Sequence, residues 1–216
     1  LGPTDIQRLV GTLGRAARVA ELPRPRKPWL PDMRSVYDLA TLPTERRDDE
    51  LVFGVADDPG NQAQPEIAFR PDKEGNIAIY GTSGSGKSVF LRSMAIAAGY
   101  TVRGGPCHVY GLDFGNRGLA MLEVLPHVGS IVPGGDHERV TRLLRMLRAT
   151  IDERASRYSA VSAATITDYR RLAGRPDEPR VLVLIDNMTA FRQAYEVGGR
   201  FQWLDMLAGL AADGRP

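Results

Sequence analysis

Lysine is almost missing from this chain. Of its 28 basic residues only Lys27, Lys73 and Lys87 are lysines; the rest are arginines. Codon bias in a GC-rich genome accounts for the imbalance, yet it makes a lysine in a chemically demanding position stand out. There is one cysteine, Cys107. It excludes an internal disulfide framework, fits a reducing compartment and reads as a small buried strand residue. The three histidines, His108, His127 and His137, share no spacing and have no second ligand type nearby in sequence, so they read as structural or surface residues. No run of 18 apolar residues encodes a helical membrane span. No basic-then-apolar leader opens the chain, and its first residue is Leu1, so it reads as a piece of something longer. Neither charge sign dominates: 28 basic residues face 26 acidic ones for a formal charge of +2, which gives no footprint of a strongly basic nucleic-acid module.

What is present is ordinary globular material, with 43% hydrophobic, 25% charged and 7% aromatic residues, enough for one moderate domain and a short appendage. Residues 1–50 read as a linker or lead-in. Ile6, Leu9, Val10, Leu13 and Ala17 recur at helical spacing over residues 4–22, and Thr4 with Gln7 has capping-box form. The strip PRPRKPWLP then breaks any helix, with Trp29 as a packing anchor. The charged run Glu45–Glu50 reads as a solvated loop. From residue 51 to 216 the pattern is that of a core. Strands are expected at Leu51–Val55, Glu66–Phe69, Asn76–Tyr80, Cys107–Leu112, Val128–Val132 and Val181–Ile185. Helices are expected at Lys87–Ala98, Leu119–Leu125, Asp136–Tyr158, Ile166–Leu172 and Phe201–Ala211. Strands alternating with helices give an α/β fold with a mostly parallel sheet, and the unbroken apolar run Val181–Ile185 suits a strand buried on both faces.

The chemistry concentrates between the expected strand Asn76–Tyr80 and the helix that begins at Lys87. Gly81-Thr82-Ser83-Gly84-Ser85-Gly86-Lys87-Ser88 matches the Walker A pattern, followed by Val89 in the first helical turn. Glycines let successive amides turn inward as an anion-binding nest, and the helix adds its positive end. Lys87 is the point charge for the β- and γ-phosphates, and the Ser88 hydroxyl a magnesium ligand. In a chain of this composition the pattern arises by chance about once in a few hundred sequences. Val181–Ile185 followed by Asp186 has Walker B form, a buried strand delivering a carboxylate to the magnesium shell beside Ser88. The next residue is Asn187, where many P-loop ATPases carry a carboxylate that polarises the attacking water. An amide cannot take that proton, and general-base assistance is worth about 10²–10⁴ in rate. The expectation is ATP and Mg²⁺ binding with slow hydrolysis, Asn187 at most orienting water. Asp113, at the end of the strand from Cys107, is the alternative base.

The segments GTSGSGKS, VYGLDFGNRGLAMLEVLPHVG at 109–129 and LIDNMTAFRQAYE at 184–196 resemble the FtsK/SpoIIIE group of hexameric ATPases. Within it they look most like the tandem ATPase domains of the type VII secretion motors EccC and EssC, the second domain in particular. The resemblance implies a P-loop NTPase fold of RecA/ASCE type and a membrane-anchored parent with its ATPase domains on the cytoplasmic face. It also implies neighbouring ATPase domains as partners, a homo-hexameric parent, and recognition of Esx-type substrates through a C-terminal signal peptide. Such a domain continues after its last helix into another core strand, whereas this chain stops at Arg215-Pro216, so a missing C-terminal strand is expected. No arginine finger can be singled out among the 25 arginines, and the resemblance implies that an adjacent domain supplies it. The competing reading is an FtsK-type DNA translocase domain, which the near-neutral charge and the lack of a DNA-reading module argue against; a structural domain holding ATP permanently is a third. Met188 and Phe191 read as core, and the arginines of the 139–157 helix (Arg142, Arg145, Arg148, Arg154) as a solvated face.

Overall fold

The structure, a computed structural model, describes residues 2–25, 28–41, 47–99, 106–197 and 199–214. Leu1, Arg26 and Lys27 of the proline strip, Glu45 and Arg46 of the charged run, and Arg215-Pro216 lie outside them. The chain divides into two units: Leu1–Met33 with Asp57–Ala63, and Arg34–Ala56 with Gln64–Pro216.

The first unit contains α1 (Asp5–Val19), whose N-terminus is closed by the expected box. The Gln7 amide N–H donates to Thr4 Oγ1 at 3.3 Å and the Thr4 N–H donates to Gln7 Oε1 at 2.9 Å, satisfying two orphan donors reciprocally. The apolar stripe is present, but no residue of α1 is buried. Trp29 is likewise exposed rather than a packed anchor.

The second unit is a layered α/β structure. β1 (Leu51–Val55) and β2 (Glu66–Phe69) form an antiparallel pair, followed by the one-turn α2 (Pro71–Glu74) and α3 (Lys87–Gly99). β3 (Cys107–Asp113), a 3₁₀ turn at Ala120–Val124, β4 (Val128–Pro133), α4 (His137–Ala160), α5 (Ile166–Leu172), β5 (Arg180–Asp186), α6 (Met188–Glu196) and α7 (Phe201–Asp213) complete it. The main sheet is parallel, in the order β4-β3-β5. Alternate residues of its strands feed opposite cores. Cys107, Val109 and Leu184 pack with Met94, Ala95 and Ala98 of α3 and with Leu51 and Phe69. Leu112 and Val132, with Val183 and Ile185, pack against Val140, Leu144, Phe191, Trp203 and Leu207. Burial on both faces is why β5 reads as an uninterrupted apolar run.

Several further expectations change, Met188 among them: it is 47% exposed, whereas Phe191 is fully buried as expected. Asn76–Tyr80 is not a strand. It pairs with no strand of the described residues, and Ile77 and Tyr80 are exposed, Tyr80 by 92%. An apolar run becomes a strand only where a neighbour offers ladder partners for its amides and carbonyls. Here the Asn76 side chain instead donates to the Ala211 carbonyl at 2.6 Å. The charged run is not wholly solvated either. Asp48 is 2% exposed, and its Oδ2 accepts from Arg170 Nη1 at 2.7 Å and Arg180 Nε at 3.0 Å. Nor is the arginine face of α4 free in solvent. Arg154 and Arg157 both pair with Glu178 across 2.9–3.0 Å, Arg148 bridges Asp152 and Asp213, and Arg145 lies over the Trp203 ring. Two histidines are structural, with His127 Nε2 2.8 Å from the Ala95 carbonyl and His137 Nδ1 3.3 Å from the Tyr195 hydroxyl, while His108 is exposed on β3. Cys107 is buried in β3, which pushes its thiol up to about 12, the ordinary result of desolvating a thiolate.

Candidate nucleotide-phosphate site

The site is built where the glycine loop meets the carboxyl ends of β3 and β5. Gly84 and Gly86 sit at φ +78° and +92°, which only glycine adopts cheaply. A side chain at Gly81 would strike Ser85 Oγ at 2.5 Å. The loop is exposed from Gly81 through Gly86, Ser83 and Ser85 included, and is closed by a turn in which the Ser85 N–H donates to the Thr82 carbonyl at 3.3 Å. It runs directly into α3, whose first residues are Lys87, Ser88 and the exposed Val89. The first-turn amides of α3 have no intrahelical acceptor, so the loop opens on the positive end of a thirteen-residue helix.

Lys87 folds back over this loop, its Nζ donating to the carbonyls of Gly81 at 2.9 Å and Thr82 at 2.7 Å. These acceptors are neutral and exposed, so an incoming phosphate oxygen is the stronger partner for the ammonium. Ser88 Oγ donates to Asp186 Oδ2 at 2.7 Å across 98 positions of sequence. Asp186 ends β5 and is 8% exposed. The two halves of the sequence motif therefore meet. The hydroxyl and carboxylate are hard oxygen donors, and no group of three or more His, Cys, Asp or Glu side chains forms a metal cage among the described residues. That suits Mg²⁺, which takes one or two protein oxygens and completes its shell with phosphate and water.

Asp113 lies beside Asp186 in the β3–β5 register. Both of its carboxylate oxygens are engaged: Oδ1 accepts from the Gly115 N–H at 3.0 Å and Oδ2 from the Leu119 N–H at 2.9 Å. It is 5% exposed and shapes the turn after β3. Asn187 is also committed. It sits at φ +64°, caps α6 by accepting the Ala190 N–H on Oδ1 at 3.1 Å, and places Nδ2 3.4 Å from the Phe114 carbonyl. Asparagine tolerates the left-handed region and is a favoured N-cap, so a local structural demand accounts for this residue type here.

Sequence reasoning passed over the turn itself. A Cβ built on Gly115 would lie 3.1 Å from Asp186 Oδ2, and one on Gly118 would lie 3.4 Å from Ser88 Cβ. The turn backbone thus rests against the serine–aspartate pair. The Gly-x-x-Gly spacing after a strand-end aspartate was the available signal.

A glycine loop opening a helix, with a strand-end aspartate bonded to the loop's serine, defines a P-loop NTPase. The FtsK/SpoIIIE family model matches residues 37–198, and the chain belongs to that family. It is 28% identical over 200 residues to the type VII secretion system protein EssC of Staphylococcus aureus, covering 88% of this chain and 14% of that protein. Among solved structures, the cytoplasmic domain of the type VII secretion ATPase EccC of Thermomonospora curvata superposes with a TM-score of 0.74 at 26% identity, over 99% of this chain and 27% of that one. ATPases 2 and 3 of the same EccC, in complex with a signal sequence peptide, superpose with a TM-score of 0.63 at 28% identity, over 78% and 31%. The chain thus spans about a seventh of the curated relative and under a third of either solved chain.

Proposed function

We propose that this chain is an ATP-binding domain of a type VII secretion motor, one that hydrolyses ATP slowly. The observation that carries the reading is the Ser88–Asp186 hydrogen bond at 2.7 Å beneath the Gly81–Gly86 loop, beside two candidate bases that are both occupied. In this reading the backbone of Gly81–Gly86, with Thr82, Ser83 and Ser85, cradles the phosphates. Lys87 leaves the loop carbonyls for the phosphate oxygens, and Val89 borders the nucleotide. Ser88 and Asp186 would hold Mg²⁺, which when bound would offset phosphate charge. Asn187 carries no carboxylate and cannot take a proton from water, and Asp113 is 5% exposed and committed to the turn amides of Gly115 and Leu119. A single-turnover ATPase assay is expected to give a rate well below one per second; several per second would overturn the slow-hydrolysis reading.

The remaining roles follow from kinship. Residues 1–50 serve as a lead-in and 51–216 as the ATPase core. The parent places this domain on the cytoplasmic face of a membrane, next to further ATPase domains and within a homo-hexamer. An Esx-type substrate is recognised by its C-terminal peptide; support comes from the EccC structure that holds a signal sequence peptide. Saturable binding of such a peptide is expected. A salt-sensitive, DNA-stimulated ATPase activity would instead favour a DNA translocase.

A further inference from the structure

The turn that packs on the serine–aspartate pair carries an arginine at its apex. Arg117 lies between Gly115 and Gly118, the two residues whose added Cβ would meet Asp186 and Ser88. Its backbone is left-handed at φ +57°, a conformation that costs energy in a long side-chain residue and that persists where surroundings enforce it, commonly at ligand sites. Here the enforcing contacts are explicit. Asp113 grips the amides of Gly115 and Leu119 on either side, Leu119 is fully buried, and the Ala120 N–H donates to the Arg117 carbonyl at 3.3 Å. The turn is a rigid mount and its apex is exposed.

Among the described residues, the guanidinium on this mount has no carboxylate partner. Arg148, Arg154, Arg157, Arg170 and Arg180 all pair with carboxylates. Arg117 makes no side-chain hydrogen bond or ion pair among the described residues, although its turn lies against the Asp186 carboxylate. We propose that Arg117 is a phosphate-binding residue supplied by the same chain, which contacts the terminal phosphate of the bound nucleoside triphosphate. Its fork of N–H donors suits the non-bridging oxygens of that group. The inference rests on the nucleotide-binding reading above and deepens it: Arg117, a residue of this chain itself, helps the site distinguish a triphosphate from a diphosphate.

The test is titration of the 216-residue chain with Mg²⁺ and either ADP or the non-hydrolysable analogue AMP-PNP. Arg117→Ala is expected to weaken AMP-PNP binding by about 10- to 100-fold, the worth of a charge-assisted hydrogen bond or two, and to leave ADP within about threefold. Arg117→Lys recovers part of the loss. Arg117→Gly relieves the left-handed backbone, so it shows the same selective loss while melting no lower than wild type, which separates phosphate contact from misfolding. AMP-PNP binding unchanged in Arg117→Ala, or an equal loss for both nucleotides, overturns the inference while Lys87→Ala still reports on the site. A wild-type chain that binds neither nucleotide overturns the underlying reading and this inference with it.

Discussion

The β3–β5 pair has an acid-rich cluster at each end, and the two are neutralised in opposite ways. At the amino end, Asp48 is surrounded by the protein's own cations. Arg170 and Arg180 both reach its Oδ2, and Arg180 also approaches Asp72, a charge contact outside hydrogen-bond angles. All of these groups are nearly sealed from water. At the carboxyl end, Asp186 is almost as buried, yet the one side-chain hydrogen bond of its carboxylate among the described residues is to the neutral hydroxyl of Ser88. No basic side chain pairs with it among the described residues. Lys87, the nearest cation in sequence to that hydroxyl, is turned to the loop carbonyls instead. A buried charge that the protein does not balance is costly unless something else balances it. The amino end is a structural clamp closed on itself. In the proposed reading, the carboxyl end leaves its balance to a bound cation.

Mutations separate the two ends. The largest effect is expected from Asp48→Ala, which strands two buried guanidinium groups: about 3–5 kcal/mol of stability lost in urea titrations, with nucleotide affinity of the folded fraction unchanged. Lys87→Ala should do the reverse. Its side chain touches only exposed carbonyls, so unfolding in the absence of ligand shifts by no more than about 0.5 kcal/mol, while affinity for Mg-nucleotide falls by about 10- to 100-fold. Gly86→Ala sharpens the contrast. An added Cβ there meets nothing within 4 Å, so only the backbone at φ +92° resists it, at about 1–2 kcal/mol by thermal unfolding.

The smallest expected effect is a pH dependence. Glu178 is nearly buried. Burial alone pushes its carboxyl upward, but the Arg157 hydrogen bond and the charges of Arg154 and Arg157 outweigh it and hold the group below its ordinary 4.5. A depressed folded value means that Glu178 stabilises the protein above pH 4.5 and loses that contribution as pH falls through the folded value. Glu178→Gln should therefore cost about 1 kcal/mol near neutrality, and the gap to wild type should close in acid.

The carboxyl end was legible in the sequence because its parts are short-range patterns. Glycine spacing, one lysine followed by serine, and a β-branched run ending in aspartate each follow from what a single loop or strand must do. The alternation of strand and helix was legible for the same reason, and nine of the expected elements stand where the periodicity puts them, within a residue or two at each end. The amino-end clamp was not. Glu45–Glu50 has the composition of a solvated loop, and nothing local reveals that arginines more than 120 positions away close on Asp48. Asn76–Tyr80 failed as a strand on the same ground, because pairing is a property of neighbours and not of the run itself. Asn187 was read for the carboxylate it lacks; its left-handed backbone and its cap on α6 explain why asparagine sits there. Arg117 was one arginine among many until the turn at Asp113 set it apart.

The most direct measurement is calorimetric titration of ATP into the chain, with Mg²⁺ and again with the metal chelated. One saturable site, weakened when Mg²⁺ is removed and lost in Lys87→Ala but kept in folded Asp48→Ala, is the result expected if the carboxyl end is completed by a nucleotide and its cation. No saturable binding at millimolar ATP, or binding indifferent to both Mg²⁺ and Lys87, would contradict it.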